Sequence, residues 1–332
     1  MIALQRLGVD GVDAVRPLLR QLPHRLGGLL RLPASYPSDD LWVRELTDAL
    51  GGHGATLVVA GGAGAPAGLA LCKLQDWETR VLGRKTAIVQ QLAVGPAAAP
   101  PSEVLDLLLR EALAWARECQ VELLSCRTST DALYALHALQ RQGFLLVDTV
   151  LDYVYDARAV PPHTIECPPA PEGCVIRPAR EDDQPALLQI AENAFGGHFG
   201  RFHADPRLPR RVATHVYREW IRSCCAGYAD HLFVAEVAGR LAGYSVWKNP
   251  SAVEAGGGVR LGHYSIAGIH HDFAGRGLFG ALTHAGMARL ADAADWIEGP
   301  THINNYPVQR GYTRLHWRIA GARHTFHRWL SA

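Results

Sequence analysis

The stretch Ile266 to Leu282, IAGIHHDFAGRGLFGAL, places Gly275, Gly277 and Gly280 between a strand-like run and a helix-like one. A chain turning there can aim successive backbone N–H groups into one concavity, at the start of a helix whose dipole favours negative charge. Arg276 adds a positive charge, but the backbone alone suffices. The chemistry open to such a turn is retention of a phosphate or another anion. Two phosphate loops are poor matches. No Gly-Lys-Ser/Thr follows, as a Walker A loop requires. The dinucleotide fingerprint opens a βαβ unit and is followed by an acidic residue at the next strand's end, whereas this turn comes after several strands of its half.

The elements that must hold the turn are the strand ending at Ile269 and the helix LFGALTHAGMARLADAA, where Leu278, Leu282, Ala285 and Leu290 recur at roughly helical spacing. This arrangement has an earlier counterpart. LVVAGGAGAPAGLALCK (Leu57 to Lys73) lies over LFVAEVAGRLAGYSVWK (Leu232 to Lys248) at an offset of 175, with eight of 17 pairs identical. Each copy reads as strand, tight turn around Ala-Gly, strand. At the same offset Val94 meets Ile269, and ALYALHALQRQGF (Ala132 to Phe144) lies over NYPVQRGYTRLHW (Asn305 to Trp317) at an offset of 173. An ordered series of matches indicates duplication. The expected fold class is α/β of the layered α+β kind: two related domains, each a mixed, mostly antiparallel central sheet flanked by helices. The proline-dense segment ARAVPPHTIECPPAPEG separates them, so the expected division is 1–156, a linker at 157–172, and 173–332.

Composition narrows the partners. A net charge of +1, with both signs scattered, disfavours nucleic acid as the main partner but leaves room for a local basic patch. Seven cysteines without CxxC spacing fit free thiols better than a disulfide framework or structural zinc. The start MIALQRLGVDGVDAVRPLL lacks a basic region followed by a long apolar core, and no uncharged run reaches membrane-spanning length. The expectation is a soluble cytoplasmic protein with no membrane partner. A homodimer stays open.

With these residues in view, HHDFAGRGLFGAL resembles the acetyl-CoA motif of the GNAT (GCN5-related) N-acetyltransferases, [Q/R]-x-x-G-x-[G/A]. Ala274 takes the Gln/Arg place, Gly277 the central glycine and Phe279 the Gly/Ala place. Two side chains depart from the pattern, but backbone donation does not depend on them. The family's N-x-x-A-x-x-x-Y-x-x-x-G-F element is similar to NYPVQRGYTRLHW, matched at Asn305 and Tyr312, with Val308, His316 and Trp317 as substitutes. The resemblance covers Val175 to about Leu330. Within the family the second half looks most like the subgroup acetylating nucleotide-linked amino sugars, typified by TDP-fucosamine acetyltransferase. The first half has AAAPPSE (Ala97 to Glu103) where the second has AGRGLFG, and two prolines remove two donors. Ala132 stands opposite Asn305 and Leu139 opposite Tyr312, so this half reads as a degenerate copy serving as scaffold or substrate wall.

The resemblance implies a direct acetyl transfer from acetyl-CoA to a primary amine of a small molecule, with no metal. The strand ending at Ile269 would splay from its neighbour, so that backbone groups of Ala267, Gly268 and Ile269 bind the pantetheine arm. Ala274, Gly275, Arg276, Gly277, Leu278, Phe279 and Gly280 would hold the pyrophosphate. Asn305 would bond the CoA arm, or cap its helix. Tyr312 would protonate the leaving thiolate, since a phenol with an ordinary pKa near 10 suits that donor. A core tyrosine is the rival reading. His263, six residues before Ile269 and so expected on the same face, is the candidate base, with Glu236 its rival. His263, His270 and His271 are not expected to converge on a metal, and no acidic partner is expected to flank them. Phe199, Arg201 and His203 are the candidate substrate contacts, suited to a ring and a diphosphate. A mobile loop is the alternative there. An acyltransferase for another amine (amino acid, polyamine or antibiotic), or a longer acyl chain, keeps the same chemistry. A CoA-binding module without turnover is the alternative of a different class.

Overall fold

In the computed structural model the described residues are 2–22, 25–26, 30–31, 38–62, 65–96, 100–252, 258 and 260–330. The Ala63-Gly64 turn and Ala97 to Ala99 lie outside them. The chain forms two compact units, one of residues 1–149 with 322–332 and the other of 150–321.

In the first unit, β1 (Ala3–Leu7), β2 (Ala55–Gly62), β3 (Ala65–Leu74), β4 (Thr86–Val94) and β5 (Leu123–Ser129) lie side by side in that order. Helices α1 (Ser38–Gly51), α2 (Asp76–Leu82), α3 (Pro101–Glu118) and α4 (Leu133–Arg141) complete it. The amphipathic face of α3 buries Leu105, Leu108, Ala112 and Trp115 against Val58, Ala70 and Val89 of the sheet. Pairing is antiparallel except between β4 and β5, where Thr86 to Val89 run parallel to Leu123 to Cys126.

The strand after α4 is β6 (Leu145–Asp156). Its residues 150–156 belong to the second unit, where they pair antiparallel with β11 (Trp296–His302). Conversely, the last strand, β12 (Arg318–Trp329), runs antiparallel to β5 of the first unit from Arg323 to Trp329. Each unit therefore draws a strand from the other copy. Contacts thus divide the chain within β6 and β12, whereas the sequence reading divides it at the proline-dense segment.

The second unit orders β6, β11, β10 (Leu261–Ile269), β9 (Arg240–Lys248), β8 (His231–Val237) and β7 (Cys174–Pro178). Helices α5 (Gln184–Phe195) and α6 (Arg210–Ser223) pack Leu187, Ala191, Tyr217 and Ile221 on one face, against Tyr244, Val246 and Ile266. The other face receives α7 (Leu278–Leu290), with Trp247, Tyr264, Met287 and Leu290 in one buried cluster. Gly286 permits this approach, because any side chain there would run into the Trp247 indole. Helix α8 (Tyr306–Arg314) follows β11 and buries Tyr312 in the same cluster.

The duplication is legible in the elements themselves. β4 and β10 each have nine residues at the 175 offset. α4 and α8 also have nine each at the 173 offset, preceded by Ala132 and Asn305 at their N-caps.

Candidate functional site

The site begins where β10 and β11 part. They run parallel only through Leu261–Trp296, Gly262–Ile297 and His263–Glu298. β10 then continues to Ile269 and β11 to His302 without further pairing between them. On its other edge β10 stays bonded to β9 as far as Ile269. The edge of Tyr264 to Ile269 that faces β11 is thus an open row of backbone donors and acceptors, which an extended polar chain can complete.

At the end of β10 comes the glycine turn. Gly275 and Gly277 have φ of 76° and 84°, left-handed values that glycine takes without strain. Ala274 to Gly277 are exposed, and α7 starts at Leu278. Among the described residues, the N–H groups of Gly275, Arg276, Gly277, Leu278, Phe279 and Gly280 have no acceptor. These are orphan donors at a helix N-terminus, the arrangement that binds an anion. The linker lies against this turn: the Pro169 carbonyl abuts Gly277 and the Pro168 ring abuts Gly280, so a side chain at 277 would strike the linker backbone. The first half differs at this place. Pro100 occupies the N-cap of α3 and Pro101 its first position, and neither has an N–H.

Tyr312 is 3% exposed. Its ring stacks on Trp317 at 4.6 Å, tilts against Tyr153 at 4.9 Å, and meets Phe279 and Tyr264 edge-on at 5.6 and 5.9 Å. A Cβ at Gly299 of β11 would stand 2.5 Å from the Tyr312 hydroxyl, which places that hydroxyl beside the opened strand. Burial, reinforced by Tyr264 and Tyr153, holds the phenol well above its usual range, so it stays protonated at neutral pH. Phe279 is accommodated by Gly311: a Cβ there would approach the ring to 2.6 Å. Asn305 is the N-cap residue of α8 but makes no side-chain capping hydrogen bond.

His263 and Glu298 face each other across the last paired rung, with Nδ1 and Oε1 2.7 Å apart. Among the described residues, the second carboxylate oxygen of Glu298 is buried without a hydrogen-bond partner. The sequence phase places His263 on the face of Ile269, and the structure corrects this. A bulge at Ser265 shifts the register, since Val246 pairs with Ile266 but Trp247 with Tyr264. His263 therefore shares a face with Ile266 and Gly268 on the α5–α6 side, while Ala267 and Ile269 lie with Tyr264 on the α7 side. The expected absence of an acidic neighbour for His270 and His271 is likewise corrected. Asp272 adjoins them, and one ligand atom from each of the three lies within 4.8 Å of the others. His263 is not part of that group.

No family model matches the chain. Among curated proteins it is similar to the spore coat polysaccharide biosynthesis protein SpsD of Bacillus subtilis (strain 168), 27% identical over 170 residues, which are 51% of this chain and 54% of that protein. The chain thus matches about half the length of this relative. Among solved structures it resembles a tandem GNAT protein from the clavulanic acid biosynthesis pathway, with TM-score 0.62 and 15% identity over 100% of this chain and 99% of the other. A GCN5-related N-acetyltransferase from Sphaerobacter thermophilus gives TM-score 0.66 and 16% identity over 100% and 96%. The chain has the tandem GNAT fold.

Within the tandem GNAT fold, the remaining sequence candidates separate. Phe199 is 40% exposed, and its ring lies 4.6 Å from that of His302 at the open end of β11. His203 turns the other way: its Nε2 bonds Thr214 Oγ1 at 3.1 Å, its ring stacks on Tyr217, and burial lowers its pKa. Arg201 lies over the Phe202 ring at 4.1 Å. Glu236 accepts from Arg177 at 3.0 Å, and Arg177 also holds Asp183, so this carboxylate is engaged on β7 and β8. Sequence reasoning missed Glu298 and Tyr153. Glu298 needed the parallel register of β10 and β11, and Tyr153 comes from the strand supplied by the first half. No helix among the described residues is long and apolar enough to cross a membrane.

Proposed function

We propose that this chain is an acetyl-CoA-dependent N-acetyltransferase that passes acetyl directly to a primary amine of a small molecule, with nucleotide-linked amino sugars as the substrate class. The observation that carries the reading is the row of orphan N–H donors from Gly275 to Gly280, set at the end of a strand whose far edge is unpaired. An anionic pyrophosphate fits the first and an extended pantetheine amide chain the second. When bound, the cofactor supplies the thioester. The open edge at Ala267, Gly268 and Ile269 would align it and polarise its carbonyl through one N–H. Asn305, with no capping bond to lose, would donate to the arm.

His263 would take the amine's proton, directly or through water, from the α5–α6 face. Glu298 orients the ring by accepting at Nδ1, which makes Nε2 the basic atom. Tyr312, kept neutral by burial, would return a proton to the departing sulfur. Phe199 at the mouth of β11 would contact the acceptor. Support for a sugar comes from relatives. SpsD is named for polysaccharide biosynthesis, and one structural neighbour, at 13% identity, is described as a glucosamine N-acetyltransferase region of a fungal enzyme.

The test is CoA release and product mass with a panel of amines that includes nucleotide amino sugars, run on the parent and on Tyr312→Phe. Turnover with a nucleotide amino sugar is expected, with kcat lowered on the order of 10²-fold in the variant and acetyl-CoA affinity nearly unchanged. No CoA release with any amine would sink the enzyme reading. Parent-like kcat with reduced stability in Tyr312→Phe would make this tyrosine a core residue.

A further inference from the structure

The basic run that follows Glu298 is left unexplained by acetyl transfer. After Glu298 the sequence holds no aspartate or glutamate, while Arg310, Arg314, Arg318, Arg323 and Arg328 follow. Two of these arginines line a groove of about 440 Å³ on α8, with Tyr153, Tyr306, Gln309 and Thr313. That volume lies in the range of about 300–1,000 Å³ typical of small-molecule sites. Arg310 and Arg314 are both exposed and one helical turn apart. Neither has a carboxylate partner among the described residues. Like charges at that spacing repel, and an anion between them relieves the repulsion. Tyr306 is 58% exposed, so its ring is open to solvent at the groove. Tyr153, packed against the Tyr312 ring at 4.9 Å, supplies the second aromatic ring at the groove wall.

The groove is distinct from the glycine turn. On α8, residues 306, 309, 310, 313 and 314 make one face by helical phase. Val308, Gly311, Tyr312 and Leu315 make the opposite face, which packs on Phe279 and the buried cluster. A cofactor held at Gly275 to Gly280 therefore lies on the other side of the helix.

We propose that this groove binds a nucleoside diphosphate, with the phosphates on the Arg310 and Arg314 guanidinium forks and the base on Tyr306. Guanidinium pairs match phosphate oxygens two at a time, and an exposed ring stacks on a base with little discrimination. The site stands on these residues whether or not the chain transfers acetyl groups.

Calorimetric titration of the full chain with uridine diphosphate tests it, repeated on Gly277→Pro, in which the glycine turn is disabled. One equivalent should bind. Arg310→Gln combined with Arg314→Gln should weaken binding on the order of 100-fold, about 10-fold for each charged contact. Tyr306→Ala should weaken it about 5- to 10-fold. Both variants alter exposed side chains, and an unchanged melting temperature will show that they fold. Absence of binding, equal binding by the double variant, or loss of binding in a folded Gly277→Pro variant would each overturn the proposal. Inorganic pyrophosphate binding as tightly as the nucleotide would overturn the assignment of a base.

Discussion

Gly277→Pro is expected to abolish acetyl-CoA binding, a loss of about 100-fold or more, while Arg276→Ala weakens it by less than about 10-fold. Proline has no N–H and fixes φ near −65°, whereas Gly277 sits at 84° and heads α7. The substitution thus removes one donor, re-aims its neighbours, and drives a side chain into the Pro169 carbonyl. Arg276 is exposed, and the cradle consists of backbone donors that its loss leaves in place. A melting curve on each variant separates loss of the site from loss of the fold. If Arg276→Ala were as damaging as Gly277→Pro in a folded protein, the anion would be held by a side-chain clamp.

A fragment of residues 173–332 is expected to show no cooperative unfolding and no turnover, whereas residues 150–321 should melt cooperatively. The first fragment lacks β6, so β11 becomes an open edge. Tyr312 loses Tyr153, Trp317 loses its stack on Tyr155 at 5.8 Å, and Ile165 leaves the core. Removing a buried aromatic side chain costs about 3–5 kcal/mol, so the loss of both tyrosines approaches the whole stability of a typical domain, about 5–15 kcal/mol. A cooperative transition and parent-like turnover from 173–332 would show that β6 is dispensable.

That second expectation marks where sequence reading stopped. The glycine turn, the Asn305 and Tyr312 spacing and the duplication were legible because each depends on local residue types at fixed intervals. The exchange of β6 and β12 was not. LLVDTVLDYVYD is strand-like in residue type and buried along most of its length, with no one-sided pattern, so the sequence cannot choose its partner strand. Both copies exchange the same element, which leaves the repeat offset intact and hides the exchange. The face of His263 was misjudged for a comparable reason. Counting by twos fails across one bulged residue, and Ser265 carries no mark that distinguishes it from a regular strand position. Glu298 became visible only through the three-rung parallel register that sets it opposite His263. Phe279 shows the reverse, a departure from the family pattern that Gly311 makes room for.

The central claim is that one anion cradle, in the second half, holds acetyl-CoA. Calorimetric titration of the intact protein with acetyl-CoA tests it most directly. The account predicts one equivalent per chain, because Gly275 to Gly280 present orphan N–H donors while Pro100 and Pro101 stand at the head of α3. Two equivalent sites, or no binding at all, would contradict it.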